Sequence, residues 1–282
     1  MAINTLAAII AAASQQLTSV SDVARLEANL LMQQVLSCSR SYLITHDEYE
    51  LTAEQLKKFE ALLLRRLAKE PLAYILGYKE FWSHEFLVNQ ATLIPRPETE
   101  ILLTKALQLA NSPDGKIIDL GTGSGALAIS FAKERPDWQV SAVDYSLNAL
   151  AVARKNAARL QAKITFWQSD WLAQVPADRF DIIISNPPYL THSEYDALKD
   201  NLIYEPAQAL VADNNGLIHY VTIANQAWHF LKPNGYVIVE HGATQALQIQ
   251  KIFADNNYSA IATLPDLAGL DRITLACRAT TS

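Results

Sequence analysis

A short apolar segment that breaks into closely spaced glycines constrains the fold of this chain more than any other feature. Residues 116–120 read as a buried strand, Gly121, Gly123 and Gly125 follow, and an apolar helical pattern begins at Ala126. Glycine lets the backbone take positive φ and lets a ligand approach the main chain, while a helix start offers unpaired N–H groups. The sequence therefore predicts a strand, a tight turn and a helix that together hold a nucleotide-like ligand.

The glycine spacing leaves two cofactor classes open. It also satisfies the dinucleotide-binding fingerprint with Ala126 in the last place, so the loop by itself fits a nicotinamide cofactor as well as S-adenosylmethionine. Residues further along the chain have to decide between them.

Two acidic residues follow the next two predicted strands. Asp144 closes the alternating segment 139–143, where its carboxylate suits the two hydroxyls of an adenosine ribose. The alternative is an N-cap for the helix that begins near Ser146. Asp170 follows the segment 163–168 and is placed to accept from an adenine amino group, with Trp171 packed on the ring; both could instead be ordinary loop residues.

The motif Asn186-Pro187-Pro188-Tyr189 comes directly after an apolar run. Each proline fixes its own φ and favours an extended residue before it, and neither carries an N–H. The carbonyls of Asn186 and Pro187 and the side-chain oxygen of Asn186 therefore form a cradle of acceptors for an N–H₂ group. Tyr189 offers a ring to cover a planar amide or base. The simpler interpretation is a Pro-Pro turn after a buried strand.

These pieces occur in order, each at the carboxyl end of a successive predicted strand, where open α/β sheets bind ligands. In this the chain resembles the S-adenosylmethionine-dependent amino methyltransferases that share the Asn/Asp-Pro-Pro-Tyr/Phe motif. More narrowly, it resembles the peptide chain release factor glutamine N5-methyltransferase family. The narrower resemblance runs from about residue 70 to 277 and depends on four segments, which are Pro71–Gly77, Glu80–Trp82, Leu93–Glu100 and Tyr204–Pro206.

The resemblance implies an enzyme that transfers a methyl group from S-adenosyl-L-methionine to the side-chain amide nitrogen of a glutamine, in the Gly-Gly-Gln loop of peptide chain release factors. It also implies that Phe81, the segment around Glu98 and Glu205 border the pocket for the cofactor and the acceptor. Motif and resemblance together assign catalysis to Asn186, Pro187 and Tyr189, cofactor binding to Gly121, Thr122, Gly123, Ser124, Gly125, Asp144, Asp170, Trp171 and Asn186, and substrate binding to Asn186, Pro187, Pro188 and Tyr189.

Because the cradle of acceptors aligns the nitrogen that receives the methyl group, we expect no essential catalytic His, Cys or Ser. His192, close after the motif, is the one candidate base, and a plain loop histidine is the alternative. The spacing shows neither a GxSxG elbow nor an HExxH pair, and no metal is expected.

The pattern of elements predicts an α/β fold with a Rossmann-like, seven-stranded methyltransferase sheet preceded by a small helical bundle. Strands at 259–264 and 272–277 are joined too closely for a parallel crossover, so they should form an antiparallel hairpin. In the helical bundle, Ser21-Asp22 and Thr52 are predicted helix starts. The expected domains are a helical substrate-docking domain at 1–73, a β-hairpin linker at 74–97 and the methyltransferase domain at 98–282.

Composition excludes several classes of protein. Half of the residues are apolar and 18% are charged, which favours a well-buried core. The net charge of −6 and the lack of a basic run disfavour a duplex nucleic acid as substrate. Cys38 and Cys277 stand far apart without metal-ligand spacing, so the reduced cytoplasm is the expected compartment. No apolar stretch approaches the roughly 20 residues that a membrane span needs.

Four alternatives remain open at this point. The same cradle would grip an exocyclic amino group of a flipped nucleic-acid base. The acceptor could be a glutamine of a ribosomal protein. The chain could also be a non-catalytic module that binds cofactor and docks on a translation factor through residues 1–70. The last alternative is a nicotinamide dehydrogenase, which would leave Asn186 to Tyr189 without a purpose.

Overall fold

The structure, a computed structural model, describes residues 5–279. Its contacts divide the chain into two units, Met1–Gly77 and Tyr78–Ser282. None of the helices in the described chain is long and apolar enough to cross a bilayer.

The smaller unit is built from amphipathic helices around one apolar core. Large side chains at helical spacing, among them Leu6, Ile10, Leu31, Met32 and Phe59, are fully buried in it. A helix with apolar residues on one stripe has to bury that stripe against its neighbours, and here the helices bury it against one another. They are α1 (Leu6–Leu17), α2 (Ala24–Leu36), α3 (Arg40–Thr45), α4 (Ala53–Leu67) and α5 (Leu72–Leu76).

The two predicted helix starts in this unit have different outcomes. Thr52 forms a complete capping box at the start of α4, because its hydroxyl accepts from the Gln55 N–H while the Gln55 side chain accepts from the Thr52 N–H. The start predicted at Ser21-Asp22 is wrong. Val23 occupies the N-cap of α2, and the Ser21 hydroxyl only accepts a hydrogen bond from the Val23 N–H.

The hairpin predicted for residues 74–97 is shorter and more firmly placed than a free linker would be. Helix α5 runs through Leu76 and ends at Gly77, whose φ of +83° suits glycine. Strands β1 (Tyr78–Phe81) and β2 (His84–Leu87) then pair antiparallel. The rings of Phe81 and Phe86 meet edge to face, 6.2 Å apart, inside the core of the larger unit, so this hairpin packs as part of that unit.

One sheet organises the larger unit, as the sequence predicts. Within residues 5–279 its seven strands lie in the order β5-β4-β3-β6-β7-β9-β8. All pairs are parallel except β7 with β9 and β8 with β9, so the chain ends in the expected antiparallel hairpin. The strands are β3 (Lys116–Leu120), β4 (Gln139–Asp144), β5 (Ile164–Gln168), β6 (Phe180–Ser185), β7 (Leu231–Glu240), β8 (Tyr258–Pro265) and β9 (Asp271–Arg278).

Helices cover both faces of this sheet. Alternation along β6 shows why, since Ile182 and Ile184 belong to one buried cluster and Ile183 to the other. The first cluster contains side chains of α6 (Thr99–Leu109) and α7 (Ala126–Glu134), and the second contains those of α11 (Ile218–Phe230) and α12 (Ala246–Asp255). The remaining elements are α8 (Leu147–Arg159), α9 (His192–Leu202), a 3₁₀ turn (Ala207–Ala209) and α10 (Asp213–Gly216).

The parallel register brings the predicted functional loops to one edge of the sheet. Leu120, the last residue of β3, pairs with Val143 on one side and with Ser185 on the other. The glycine loop, Asp144 and Asn186 follow directly after these three positions. Residues separated by more than sixty positions in sequence therefore start their loops side by side.

A substitution at Gly125, the N-cap of α7, tests how tightly the glycine loop is packed. We expect Gly125→Ala to destabilise the protein by about 2–4 kcal/mol, because a left-handed backbone carrying a Cβ costs roughly 1 kcal/mol and overpacking adds 1–3. The added Cβ would lie 2.9 Å from Ile129 Cδ1 and 3.2 Å from Ala153 Cβ. The matched control is Gly269→Ala, with a similar φ of +79° and no atom within 4 Å. Urea unfolding of both variants measures the difference, and equal losses would contradict the packing argument.

Candidate active site

A cavity of about 300 Å³ lies at the carboxyl edge of the sheet. Much of its lining comes from the loops that follow β3, β4, β5 and β6, as expected for an open α/β sheet. The sequence-predicted residues that line it are Gly121, Gly123, Asp144, Asp170, Trp171, Asn186 and Pro188. The structure thus gathers residues from four separate predicted sites around one space.

The other predicted residues of the glycine loop shape the loop from below. The Thr122 hydroxyl donates to Asp119 Oδ2 at 2.6 Å, inside the protein. Ser124 is buried, and its carbonyl accepts from the Asn156 side chain at 2.8 Å. Gly125 faces α7 and α8. Cofactor contact by these three residues stays a prediction, and the observed contacts explain them as supports of the loop.

Asn156 on α8 is a residue of this site that the sequence reasoning missed. It is fully buried, and its amide exchanges two hydrogen bonds with the backbone of Leu87 while also donating to the Ser124 carbonyl. One side chain therefore ties the β-hairpin to the glycine loop. A single Asn within a helix carries no local signal, so only the tertiary structure reveals this role.

Asp144 fixes the glycine loop from the neighbouring strand. Its two carboxylate oxygens accept from the Gly123 N–H and the Ser146 N–H, each at 2.8 Å. Ser146, and not Asp144, is the N-cap of α8, since its hydroxyl accepts from the Ala149 N–H. Burial raises the pKa of Asp144 above its ordinary value, although the two N–H donors act in the opposite direction.

Two rings stand side by side in the lining of the cavity. Trp171 follows Asp170 with a positive φ of 51°, an unusual backbone state for a bulky residue. The turn is pinned to α11, because the Gln226 side chain accepts from the Leu172 N–H at 2.8 Å. The ring centroids of Trp171 and His219 lie 5.2 Å apart. Burial lowers the pKa of His219, which favours the neutral imidazole.

His219 and several other lining residues were not predicted. Tyr145, Ser146 and Ser169 lie next to predicted residues, so a wider window around Asp144 and Asp170 would have included them. His219, like Gln208, arrives from a distant part of the chain with no accompanying motif.

The Asn-Pro-Pro-Tyr loop is held in place from its far side. The Leu190 N–H donates to the Leu210 carbonyl, and the Gln245 side chain donates to the Tyr189 carbonyl at 3.1 Å. A Cβ on Gly216 would lie only 2.2 Å from that carbonyl. The Tyr189 side chain packs against the second core cluster, and neither Pro187 nor Tyr189 lines the cavity. Their roles in substrate binding and catalysis stay predictions.

Glu205 and Arg96 join two further loops at the cavity. Glu205 is 5% exposed, and its carboxylate accepts from the Ile94 N–H at 3.1 Å and from Arg96 Nη2 at 2.5 Å. Leu93 and Pro206, next to these residues, line the cavity. The pair therefore positions two wall segments, which gives Glu205 a structural role that the sequence did not define.

The remaining candidates lie outside the lining. Phe81 is buried against Phe86, and Glu98 is exposed. His192 is exposed with its Nε2 3.0 Å from Asp213 Oδ1. Among residues 5–279, no group of three His, Cys, Asp or Glu side chains is placed to hold a metal ion.

Comparison with known proteins finds methyltransferases among the relatives of this chain. Residues 97–232 match the model of the methyltransferase small domain, and residues 8–77 match that of the PrmC N-terminal domain. A release factor glutamine methyltransferase of Shewanella oneidensis is 41% identical over 92% of this chain and 91% of its own length. One of Vibrio cholerae is 42% identical over 98% and 97%. A methyltransferase structure from Pyrococcus furiosus shares the fold, with a TM-score of 0.54 and 18% identity over 78% of this chain and 98% of its own.

Asp119, beneath the glycine loop, predicts a pH-dependent stability. Burial is the main cause that raises its pKa from 3.8 to about 7, and its Oδ1 has no hydrogen-bond partner in the described structure. Between these two values the folded state keeps a proton that the unfolded state releases, so stability falls as the pH rises from about 4 to 7. Asn at this position does not titrate. We compare the free energy of unfolding of Asp119→Asn with that of the wild type at the same pH. This difference should shift in favour of Asp119→Asn by on the order of 1–3 kcal/mol as the pH rises from 4.5 to 7.5.

Chemical denaturation of both proteins at the two pH values measures this gain. Each unfolding free energy is compared with that of the other protein at the same pH, so the titration of all other groups cancels. A difference that stays constant across the pH range would contradict the burial of an ionisable carboxyl at Asp119.

Proposed function

The chain belongs to the release factor glutamine methyltransferase family, and we propose that it uses S-adenosyl-L-methionine to methylate the side-chain amide nitrogen (N5) of a glutamine in a peptide chain release factor. One observation carries the proposal. Gly121 and Gly123 of the glycine loop, Asp144 and Asn186 all line the same cavity. A donor and an acceptor bound there would lie next to each other.

The residues around the cavity fit the adenosine part of the cofactor. Gly121 and Gly123 present backbone without side chains, and Gly123 has no atom within 4 Å of where a Cβ would stand. Asp144 supplies carboxylate oxygens for the ribose hydroxyls, and the exposed Asp170 supplies an acceptor for the adenine amino group. Trp171 and His219 offer π faces for the base. These are the residues that would hold the cofactor.

The chemistry places a limited demand on the protein. The bound cofactor supplies a methyl group on a sulfonium, which is a strong electrophile without further activation. A glutamine amide nitrogen is a weak nucleophile, because its lone pair is delocalised into the carbonyl. The protein therefore has to align the nitrogen and stabilise the positive charge that grows on it.

Asn186 and Pro187 are the residues that we assign to this alignment. Asn186 Oδ1 and the Pro187 carbonyl accept the two N–H groups of the glutamine amide, which fixes the direction of the nitrogen and favours the developing charge. Positioning of this kind contributes several kcal/mol, up to about 7–11 in favourable intramolecular reactions. Because the far side of the loop is anchored through Leu190 and Tyr189, the acceptors are held before the substrate arrives.

No step of this scheme requires a side-chain base, because the N-methylated amide cation is strongly acidic and gives its extra proton to water. His219, the histidine in the lining, lies beside Trp171 at the part of the cavity assigned to adenine. His192 is exposed and interacts with Asp213.

The helical unit that precedes Tyr78 is assigned to docking of the release factor. Residues 8–77 match the PrmC N-terminal domain, and the side chains that line the cavity all come from the rest of the chain. The preferred release factor is left open. Location in the cytoplasm stays a prediction from composition. The two cysteines, Cys38 and Cys277, are both free thiols, which agrees with a reducing compartment.

Removal of the Asn186 amide should abolish methyl transfer while cofactor binding is retained, because this amide holds the acceptor more than the donor. We expect Asn186→Ala to lower the rate of transfer at least 100-fold, because the oxygen that orients the acceptor is lost, as for a removed oxyanion-hole donor. Purified enzyme, release factor and methyl-labelled cofactor measure the rate, and calorimetry with S-adenosylhomocysteine measures binding. Asn111→Ala, an exposed position after α6, is the control with unchanged rate. Label on nucleic acid or on another glutamine would overturn the assigned acceptor.

The adenine subsite makes a separate prediction. Asp170→Ala should weaken the binding of S-adenosylhomocysteine by about five- to thirty-fold, the equivalent of a lost hydrogen bond of 1–2 kcal/mol. Asp137→Ala, an exposed acid before β4, is the matched control and should bind as the wild type does. Calorimetric titration gives each Kd, and the same experiment with NAD should show no binding. Tight binding of NAD would contradict the cofactor assignment.

A further inference from the structure

A buried acid, Glu240, lies beside Asn186 at the end of the neighbouring strand. Strands β6 and β7 pair Ser185 with Val239, so Asn186, directly after β6, and Glu240, the last residue of β7, come next at the carboxyl edge. Glu240 is 2% exposed. The proposed alignment of the glutamine amide by Asn186 and Pro187 does not involve Glu240. Burial of an acid costs free energy unless its surroundings compensate.

The side chains of both residues are directed to the same face of the sheet. Ile184 and Ile238, two positions earlier in each strand, both belong to the cluster that α6 covers, and strand side chains repeat every second residue. Thr99 opens α6 and is itself buried. The Asn186 amide Nδ2 donates to Thr99 Oγ1 at 3.2 Å. Thr99 and the Asn186 side chain both act on the Glu240 carboxyl, since each lowers its pKa.

Glu240 has no ion-pair partner within residues 5–279. The cation whose charge acts on it, Arg272, donates instead to Asp266 Oδ2 at 3.0 and 3.1 Å and to the His241 carbonyl. Glu240 Oε2 accepts no hydrogen bond from any described residue. The acid therefore lies beside Thr99 and Asn186 without being neutralised by a cation.

This arrangement decides which end of the Asn186 amide faces the protein. A carboxylate only accepts hydrogen bonds, so the amide must turn its N–H₂ group toward Glu240 and Thr99. The two ends of an amide have nearly the same shape, and packing alone does not choose between them. With Nδ2 held inside, Oδ1 is left for the cavity that Asn186 lines.

We propose that Glu240, acting with Thr99, is a positioning residue that locks the orientation of the Asn186 amide and so presents Oδ1, the acceptor, to the glutamine nitrogen. The inference rests on the proposed function. The hydrogen bond from Nδ2 to Thr99, with the negative charge of Glu240 beside it, also polarises the amide, which makes Oδ1 a stronger acceptor. A neutral acid at this position can donate to Oδ1 and reverse the amide, so the lock needs the ionised form.

The charge state of Glu240 depends on all groups that face it. Burial is the main cause that raises its pKa from 4.5 to about 7. The charge of Glu98 acts in the same direction, while Thr99, Asn186 and Arg272 act against it. From α11, the Tyr220 hydroxyl donates to the backbone carbonyl of Glu240. The wild-type rate of transfer should therefore rise as the pH passes through about 7.

Three variants test the proposal. Glu240→Gln keeps the shape but removes the charge, and should lower kcat by about ten- to a hundredfold, abolish the rise near pH 7, and leave the Kd for S-adenosylhomocysteine unchanged. Thr99→Val should lower kcat about tenfold, whereas Thr99→Ser keeps the hydroxyl and should restore the wild-type rate. Wild-type kcat and pH profile in Glu240→Gln, confirmed as folded by thermal melting, would overturn the proposal.

A second measurement is independent of activity. In protein labelled with ¹⁵N-asparagine, the Asn186 amide protons, assigned by their loss in Asn186→Ala, should exchange slowly in the wild type and at least tenfold faster in Glu240→Gln. Equal exchange in the two proteins would overturn the lock even if no methyl transfer is found. An inactive wild type with slow exchange would instead refute the proposed acceptor and leave the lock in place, so the two failures are distinguishable.

Discussion

The parallel register of β3 with its two neighbours is the constraint on which the rest of this structure depends. Leu120 pairs with Val143 and with Ser185, so the three strands end at the same level. Gly121, Gly123, Asp144, Asp170 and Asn186 all lie at or directly after the carboxyl ends of neighbouring strands of this sheet. A register shift of one residue would turn Asp144 and Asn186 to the opposite face.

Buried polar groups hold this edge of the sheet together, at a cost in stability. Asp119 and Glu240 both have a pKa raised to about 7 by burial, and each has a carboxylate oxygen without a hydrogen-bond partner in the described structure. An apolar core would be more stable at these positions. The groups are instead used to support the glycine loop and to face Asn186, as expected where function limits packing.

The sequence predicted the features that local chemistry dictates. The strands at 116–120 and 139–144, the glycine turn and the terminal hairpin follow from apolar periodicity and connection length, and the structure confirms them. The roles of Asn156, Glu205, Glu240 and His219 could not be predicted, because each depends on a partner distant in the chain. The wrong start of α2 shows the same limit, since the structure places Val23, which has no capping side chain, at the N-cap in place of the predicted Ser21-Asp22.

In the proposed mechanism, one cavity brings a sulfonium cofactor and a glutamine amide together at Asn186. A crystal structure with S-adenosylhomocysteine and a Gly-Gly-Gln peptide would show where both ligands bind. We expect the adenine to lie against Trp171 and the glutamine nitrogen to lie about 3 Å from Asn186 Oδ1. A peptide bound with its glutamine away from Asn186, or a cofactor bound outside the space beside Gly123, would contradict it.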